Sequence, residues 1–338
     1  MKAEKQAKVF ERKRTRLETV LPMDTPFAIT LEVSSFCDLQ CHFCVHYDKN
    51  ALKEAGFTYG NMDMGLFKKI VDDAAVMNQQ VKKLKLCGMG ECLLNPHLPE
   101  MIKYANNSGA FERVDLFTNG IALNPELNLK LVEAGLEWVN ISINGLSSEQ
   151  YEANCGRKIN YDKFIKNIRH LYDHKKQLEI YIKLGDNGYS EEEKQKFYDV
   201  FGDICDTIFI ETIVDNAWGD AKVRKANMEN DFFGQEMIER KVCDLIFTRM
   251  TIAWDGRVKM CCADWKGDYL VGDVKRESLS EIWNGKELRK IYMQQLKGQK
   301  ENFELCRGCD KYMTLTPDNI DPYADELLKR YEELDRDC

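Results

Sequence analysis

Three cysteines in the first fifth of the chain have a spacing that could hold an iron-sulfur cluster. Cys37, Cys41 and Cys44 are arranged as C-x3-C-x2-C in the stretch FCDLQCHFCVHY. Three thiolates on a four-iron cube leave one iron without a protein ligand, and a small molecule can bind the metal there. The spacing therefore predicts a cluster that takes part in chemistry.

The elements that position these cysteines are predicted to be alternating strands and helices from residue 27 to about 215, as in parallel βαβ units. Six repeats are too few to close an eight-stranded barrel, so we expect an α/β fold with an open, partial, TIM-like (β/α)6 barrel. Active sites of such barrels lie at the carboxyl ends of the strands, where the three cysteines also fall. The strand candidates are FAITLEVSS (27–35), KKLKLCG (82–88), RVDLFTN (113–119), WVNISIN (138–144), LEIYIKLG (178–185) and DTIFIET (206–212).

A second, smaller module is predicted after a change in composition. Residues 216–242 are polar and lack apolar periodicity, which indicates a linker. In the module at 243–313, the runs 247–254 and 257–263 flank the dipeptide DG, a signal for a two-residue hairpin turn. Residues 1–26 are predicted to be an N-terminal extension, and residues 314–338 an acidic helical tail that packs on the surface or frays.

Composition limits the classes of protein to which the chain can belong. A net charge of −8 disfavours nucleic-acid binding, which needs a positive surface. No apolar run approaches the roughly eighteen residues of a membrane span, and the charged N-terminus does not resemble a secretory signal, so we expect a cytoplasmic protein with no membrane partner. An odd count of 13 cysteines in a reducing compartment favours metal ligation over disulfides.

The first cysteine motif resembles the signature of the radical S-adenosylmethionine (radical SAM) superfamily, including the aromatic Phe43 before its third cysteine. The resemblance covers roughly residues 27 to 313. It implies that the open iron of a 4Fe-4S cluster chelates the amino and carboxylate groups of S-adenosylmethionine. Electron transfer from the cluster then breaks the sulfonium bond and gives a 5'-deoxyadenosyl radical.

The turn after the second strand is the first candidate contact for this cofactor. Gly88, Gly90 and Glu91 resemble the family's G-G-E turn, which binds the cofactor's amino group, although Met89 replaces the middle glycine. Glycines permit close backbone approach, and a carboxylate can pair with an ammonium. A tight turn without a ligand is the alternative, whereas Leu93 breaks a dinucleotide-binding G-x-G-x-x-G pattern.

Further candidates close the next strands on the same rim. Ser142 and Asn144 resemble the family's S-x-D-G segment near the cofactor ribose and carboxylate, with asparagine where aspartate is common. Lys183 could pair with the methionine carboxylate, and Asn119 ends the third strand. These residues are predicted as a group, because each alone could be a plain exposed residue at a strand end.

The later cysteines resemble the SPASM/twitch extension of radical SAM enzymes. The resemblance implies one auxiliary 4Fe-4S cluster, because no further cysteines follow closely. Four thiolates would saturate it and favour electron transfer, whereas loss of one ligand would allow substrate to bind iron. Zinc is the alternative, but the two C-x2-C pairs are far beyond zinc-knuckle spacing. The implied ligands are Cys243, Cys261, Cys306 and Cys309.

Cys262 follows one of these cysteines directly. Neighbouring side chains on a strand point to opposite faces, so only one of Cys261 and Cys262 is expected to bind the cluster. We expect either a thiol that donates a hydrogen atom to a substrate radical, which would make Cys262 catalytic, or a buried small apolar residue.

The resemblance implies an oxidoreductase or epimerase that acts on a carbinol carbon of a carbohydrate-like small molecule, a sugar or an aminocyclitol. Its reductant would be a flavodoxin or ferredoxin. A peptide-modifying radical SAM maturase is an alternative, disfavoured by only 36 residues before Cys37 and by the missing cysteines. A noncatalytic iron-sulfur electron carrier or zinc-binding scaffold is the alternative from another class.

Overall fold

The computed structural model describes residues 1–7, 15–186, 188–212, 236, 238–307, 309, 311–315 and 318–336. Most of the predicted linker at 216–242 lies outside these residues, so the assignment of a linker there remains a prediction. The division of the chain into domains likewise remains a prediction.

The six predicted strands form consecutive parallel neighbours of one sheet, which makes the wall of a partial barrel. Most of their ends lie within one or two residues of the sequence runs, but β2 ends four residues earlier than predicted. With one N-terminal strand and three from the later part of the chain, the described residues form a sheet in the order β1-β7-β6-β5-β4-β3-β2-β8-β9-β10. The strands are β1 (Glu4–Lys5), β2 (Ala28–Leu31), β3 (Val81–Leu86), β4 (Phe111–Thr118), β5 (Trp138–Ile143), β6 (Glu179–Asp186), β7 (Thr207–Thr212), β8 (Arg249–Ile252), β9 (Arg257–Lys259) and β10 (Leu270–Asp273).

The two faces of this sheet differ in polarity. Side chains alternate between faces along a strand, and the apolar residues of one face of the barrel strands join the main hydrophobic core beneath the helices. The other face, which we call the lumen, carries polar and charged residues. Thr30 shows this, because its register partners on β3 and β8 are Lys85 and Thr251. A polar lumen inside an apolar shell is suited to binding a polar ligand.

The helices cover the outer face and begin where the sequence supplies capping groups. Asn124 caps the helix that Pro125 opens, with Oδ1 accepting the Leu127 amide at 3.1 Å. The α-helices are α1 (Leu17–Val20), α2 (Lys49–Glu54), α3 (Met64–Ala75), α4 (Leu98–Ser108), α5 (Pro125–Glu133), α6 (Ser148–Cys155), α7 (Tyr161–His174), α8 (Glu191–Phe201), α9 (Leu279–Trp283), α10 (Lys286–Leu296), α11 (Lys311–Leu315) and α12 (Ala324–Arg336). None of the helices in the described ranges is long and apolar enough to cross a membrane.

The predicted hairpin exists, but it extends the barrel sheet. Strand β8 pairs in parallel with β2 and antiparallel with β9. The Ala253 amide donates to the Arg257 carbonyl at 2.9 Å, so the loop has three residues and not the two that the dipeptide indicated. Gly256 at its end has a φ of 94°, the left-handed region that such a loop requires.

Segments near both chain ends pack on the barrel. Strand β1 adds to the free edge of β7 in parallel, which the sequence did not predict. The acidic C-terminal helix α12 packs and does not fray over Ala324–Arg336: Leu327 and Tyr331 are buried, and the Tyr331 ring lies 5.5 Å from that of Tyr292. Arg330 also donates to the carbonyls of Glu18 and Leu21.

Candidate functional site

The three N-terminal cysteines lie on one loop that follows the carboxyl end of β2. Their thiols are close enough to act on one another electrostatically. Burial raises the pKa of Cys37 to about 12 and that of Cys44 to about 11, because the thiolate loses hydration. A bound metal deprotonates a coordinating thiol outright, so a buried group of three cysteines fits an iron-sulfur cluster.

The end of helix α6 holds this loop in place. The backbone amides of Gln40 and His42 donate to the carbonyls of Cys155 and Asn154 at 2.8 and 3.0 Å. The Cys41 and Cys155 sulfurs lie 3.3 Å apart, in hydrogen-bond contact. No signal in the sequence indicated this contact, because Cys155 has no ligand spacing. The predicted aromatic residue before the third cysteine, Phe43, is half-buried and packs edge-on against His42.

The glycine turn after β3 meets the cysteine loop directly. The Glu91 amide donates to the Phe36 carbonyl at 2.7 Å. A Cβ on Gly90 would lie 2.3 Å from the Ser34 carbonyl oxygen, and one on Gly88 would lie 2.1 Å from Cγ of Glu32. Only glycine therefore allows the turn to pack this closely against the segment after β2, whereas its approach to a cofactor remains a prediction.

The carboxylate of Glu91 joins the ends of two strands. Its oxygens accept hydrogen bonds from the Leu93 amide at 2.9 Å, the Thr118 hydroxyl at 2.7 Å and the Asn119 amide at 2.7 Å. Complete burial raises its pKa to about 7, although these donors oppose the shift. The structure thus gives Glu91 a positioning role, while its pairing with a cofactor ammonium remains a prediction.

The other predicted cofactor contacts lie along the same rim. The side-chain amide of Asn119 donates to the Asp38 carboxylate at 2.8 Å. The backbone amide of Asn144 donates to the Tyr151 hydroxyl oxygen at 3.3 Å. Ser142 is the register partner of Lys183, whose ammonium pairs with Glu211 at 2.7 Å and is therefore neutralised within the protein.

A buried ion pair that sequence reasoning missed joins the barrel to the hairpin. Glu32 follows β2 and Lys259 ends β9; their charged atoms are 3.1 Å apart, with side chains only 6% exposed each. The Glu32 carboxylate also accepts the Met89 amide, so one side chain contacts the glycine turn and the hairpin together. The only sequence signal was a glutamate directly after the apolar run AITL.

The four later cysteines line one cavity. Burial is the main cause that raises the pKa of Cys243 well above its usual range and that of Cys306 to about 11. The Gln295 amide nitrogen lies 3.7 Å from the Cys306 sulfur. An apolar cavity with four thiols fits a saturated cluster. No three His, Cys, Asp or Glu side chains in the described part of the chain are grouped to hold a single metal ion. The four residues are Cys243, Cys261, Cys306 and Cys309.

Cys262 does not line that cavity. Arg249, Lys311 and Lys85 lie close enough for their positive charges to act on its sulfur. Lys85 is on the lumen face, so this thiol lies near the lumen. The two cysteines follow the end of β9 in a turn and their side chains contact each other, so the predicted alternation of strand faces does not separate them.

The register of β9 places Cys261 towards the amino end of the barrel wall, away from the N-terminal cysteine loop. The N-terminal loop follows the carboxyl end of β2. Strand β9 runs antiparallel to β8, and Lys259 pairs with Thr251 at the level of Thr30, so the next residues of the chain, up to Cys261, approach the amino end of β2. The lumen therefore lies between Cys261 and the N-terminal loop.

Comparison with known families defines the class of protein. A partial barrel with a cysteine-lined loop at its carboxyl rim is the architecture of an iron-sulfur enzyme that uses an organic cofactor. Residues 31–200 match the Radical SAM superfamily, which is half of the chain, and residues 243–310 match SPASM, an iron-sulfur cluster-binding domain. The chain belongs to the radical SAM superfamily. It therefore uses S-adenosylmethionine and a 4Fe-4S cluster, and its SPASM domain binds auxiliary iron-sulfur. These cofactors favour a radical SAM enzyme over a zinc-binding scaffold.

Individual relatives are more distant. The chain is 27% identical over 162 residues to dTDP-4-amino-4,6-dideoxy-D-glucose ammonia-lyase from Streptomyces venezuelae, covering 47% of this chain but only 32% of that one. The solved structure of BtrN in complex with AdoMet and 2-DOIA is 18% identical with a TM-score of 0.57, covering 87% and 96% of the two chains. Streptococcus suis SuiB bound to precursor peptide SuiA is 15% identical with a TM-score of 0.63, covering 80% and 67%. The two structures establish the fold alone.

Proposed function

We propose that this enzyme abstracts a hydrogen from a carbinol carbon of a sugar or aminocyclitol and that the substrate is thereby oxidised or epimerised. The observation that carries the proposal is the polar lumen between Cys261 and the N-terminal cysteine loop, which contains buried hydrogen-bonding side chains with no partner among the described residues. A relative over roughly half of this chain is named for action on a deoxyamino sugar, which supports the same substrate class.

The cofactor sites are assigned from the cysteines that the fold brings together. Cys37, Cys41 and Cys44 would hold the cluster that binds S-adenosylmethionine, and the four cysteines of the second cavity would hold one auxiliary cluster. When bound, the first cluster and S-adenosylmethionine supply a 5'-deoxyadenosyl radical to the lumen. A flavodoxin or ferredoxin is the proposed reductant.

The protein's own residues position the substrate and keep water away from it. Asp115, Trp138 and Tyr181 of the lumen face are buried and therefore shielded from solvent. A dry cavity protects a reactive radical from competing hydrogen donors. Gly88, Gly90, Ser142, Asn144 and Lys183 lie at the rim between this cavity and the cysteine loop and are proposed to contact the cofactor.

The outcome depends on the step after hydrogen abstraction, and Cys262 decides between the two reactions. Its thiol, which lies near the lumen, could return a hydrogen atom to the opposite face of the substrate carbon and so cause epimerisation. Without that donation, loss of one electron and one proton gives the ketone, and the auxiliary cluster is the proposed electron acceptor.

Reaction in deuterated water distinguishes these outcomes. An epimerase that uses Cys262 places one solvent deuterium on the product carbon, whereas a dehydrogenase gives a product about two mass units lighter than the substrate. Cys262→Ala should abolish the epimerised product. Unchanged epimerisation in this variant would refute the donor assignment, and the conservative variant Cys262→Ser controls for packing.

A further inference from the structure

The lumen contains three orphaned polar groups, buried atoms without any hydrogen-bond partner among the described residues. Asn140 is 1% exposed, and neither atom of its amide has a partner. Thr251 is 3% exposed, and its hydroxyl has none. The buried Nε of Arg249 also has none. A buried polar group without a partner costs about 1–3 kcal/mol, so three of them in one lumen indicate a ligand that supplies the missing bonds.

All three groups face the same space. Their strand neighbours Val139, Ile141, Met250 and Ile252 belong to the apolar core on the other face of the sheet. Asn140 is therefore on the lumen face, and Arg249 and Thr251 follow by the same alternation. Residues two apart on one strand are about 7 Å apart, close to the span of a monosaccharide ring with its first substituent.

Several basic residues of the lumen have acidic partners, and Arg249 differs from them. Lys259 is paired with Glu32, Lys183 with Glu211 and Arg113 with Asp115. Arg249, in contrast, forms no ion pair within the described part of the chain. Its guanidinium offers several donors in a fixed fork that matches carboxylate and phosphate oxygens. The charge of Arg249 acts at Cys262, so this positive group lies beside the thiol near the lumen.

We propose that the lumen binds an anionic carbohydrate, with Arg249 on its carboxylate or phosphate group and Thr251 and Asn140 on its hydroxyls. The inference rests on the proposed function, because it names the substrate class of the same lumen. A neutral sugar, or an aminocyclitol with its protonated amine, would bring no counter-charge to the half-buried Arg249. A hydroxyl-rich anion satisfies a guanidinium, an amide and a hydroxyl at once.

Equilibrium binding to the reconstituted full-length protein tests this proposal. Isothermal titration calorimetry with S-adenosylmethionine present and no reductant would use three probes: D-glucose 1-phosphate, D-glucuronate and D-glucose. Both anions, or one of them, should bind on the order of 10- to 100-fold more tightly than glucose, as expected for one charge-assisted hydrogen-bonded pair. Preference for the phosphate or for the carboxylate identifies the anionic group.

Variants separate this site from general charge effects. Arg249→Met should reduce the affinity for the preferred anion to that for glucose, whereas Arg276→Met, an exposed change of equal charge, should leave it unaltered. Thr251→Val keeps the shape and should weaken all three probes several-fold while the preference for the anion persists. Thr251→Val tests the site even if Arg249→Met fails to fold.

The proposal is overturned if no probe binds, if glucose binds as tightly as both anions, or if Arg276→Met weakens anion binding as much as Arg249→Met. Because binding is measured without a reductant, it is independent of turnover. Anion binding through Arg249 without any cleavage of S-adenosylmethionine would refute the proposed function alone, whereas cleavage without anion preference would refute this inference alone.

Discussion

The ion pair between Glu32 and Lys259 should hold the barrel and the hairpin together, and Lys259→Met tests this. The pair is almost fully buried. Removal of one partner from such a pair leaves an uncompensated charge and typically costs about 3–5 kcal/mol. For 338 residues, an unfolding entropy of about 2.1 cal/mol/K per residue converts that loss into a fall in Tm of roughly 4–7 °C.

The fall should depend on pH and should be reversed by a second substitution. Burial already raises the pKa of Glu32 even beside Lys259, and without the lysine it rises further. A carboxyl with a raised pKa stabilises the fold only while protonated, so the loss in Lys259→Met should grow as pH rises. Glu32→Gln combined with Lys259→Met removes both charges and should recover most of the stability.

Anaerobic thermal unfolding of the reconstituted proteins at one scan rate measures all three forms. Lys69→Met, which removes an exposed partner of Asp73, is the matched control and should change Tm by about 1 °C or less. A decrease in Tm of less than about 2 °C for Lys259→Met would show that the ion pair does not hold the barrel and the hairpin together. A double variant no more stable than the single one would show the same.

Three further predictions concern the cysteine loop. Gly90→Ala forces a Cβ into backbone atoms and should lower the iron content bound at the loop, whereas Gly65→Ala, in a helix, should not; equal iron contents would refute the packing argument. Cys155→Ala removes the hydrogen bond to the Cys41 sulfur and should make the midpoint potential of that cluster more negative in an EPR redox titration, with no shift as the contrary result. Burial raises the pKa of Glu91 to about 7, so the carboxyl stabilises the fold only while it is protonated. Its contribution to the free energy of unfolding should therefore fall by about 2 kcal/mol between pH 5.5 and 8. Denaturant titration at the two pH values should show this fall in the unchanged protein and not in Glu91→Gln.

The local parts of the fold could be predicted from the sequence. Strands β2 to β7 overlap the six runs predicted from the sequence, and Asn124 with Pro125 stands at the start of α5 as these residue types favour. Pairing between distant segments could not be predicted in this way. Nothing in the run RMTI specifies β2 as its parallel neighbour, and Glu4–Lys5 is too short and polar to predict an edge strand.

The candidate site shows the same difference between local features, which could be predicted, and tertiary contacts, which could not. Cysteine spacing predicted the N-terminal group of thiols, and the resemblance to the SPASM/twitch extension implied the second group. The structure shows that Gly90 packs closely against the segment after β2, but the predicted approach of this turn to a cofactor remains a prediction. Partners that depend on tertiary packing were missed, including Lys259 beside Glu32 and Cys155 beside Cys41. The orphaned amide of Asn140 was also invisible, because burial without a partner is a property of the folded lumen.

The central claim is that Cys37, Cys41 and Cys44 hold a cluster with one iron open to S-adenosylmethionine. The most direct measurement is EPR of the anaerobically reconstituted, dithionite-reduced protein with and without S-adenosylmethionine, together with analysis of 5'-deoxyadenosine in the same samples. The spectrum should change on addition of S-adenosylmethionine and 5'-deoxyadenosine should form, and Cys37→Ala should lose both effects while it keeps the auxiliary signal. An unchanged spectrum and no 5'-deoxyadenosine from protein that carries its full iron content would contradict this claim.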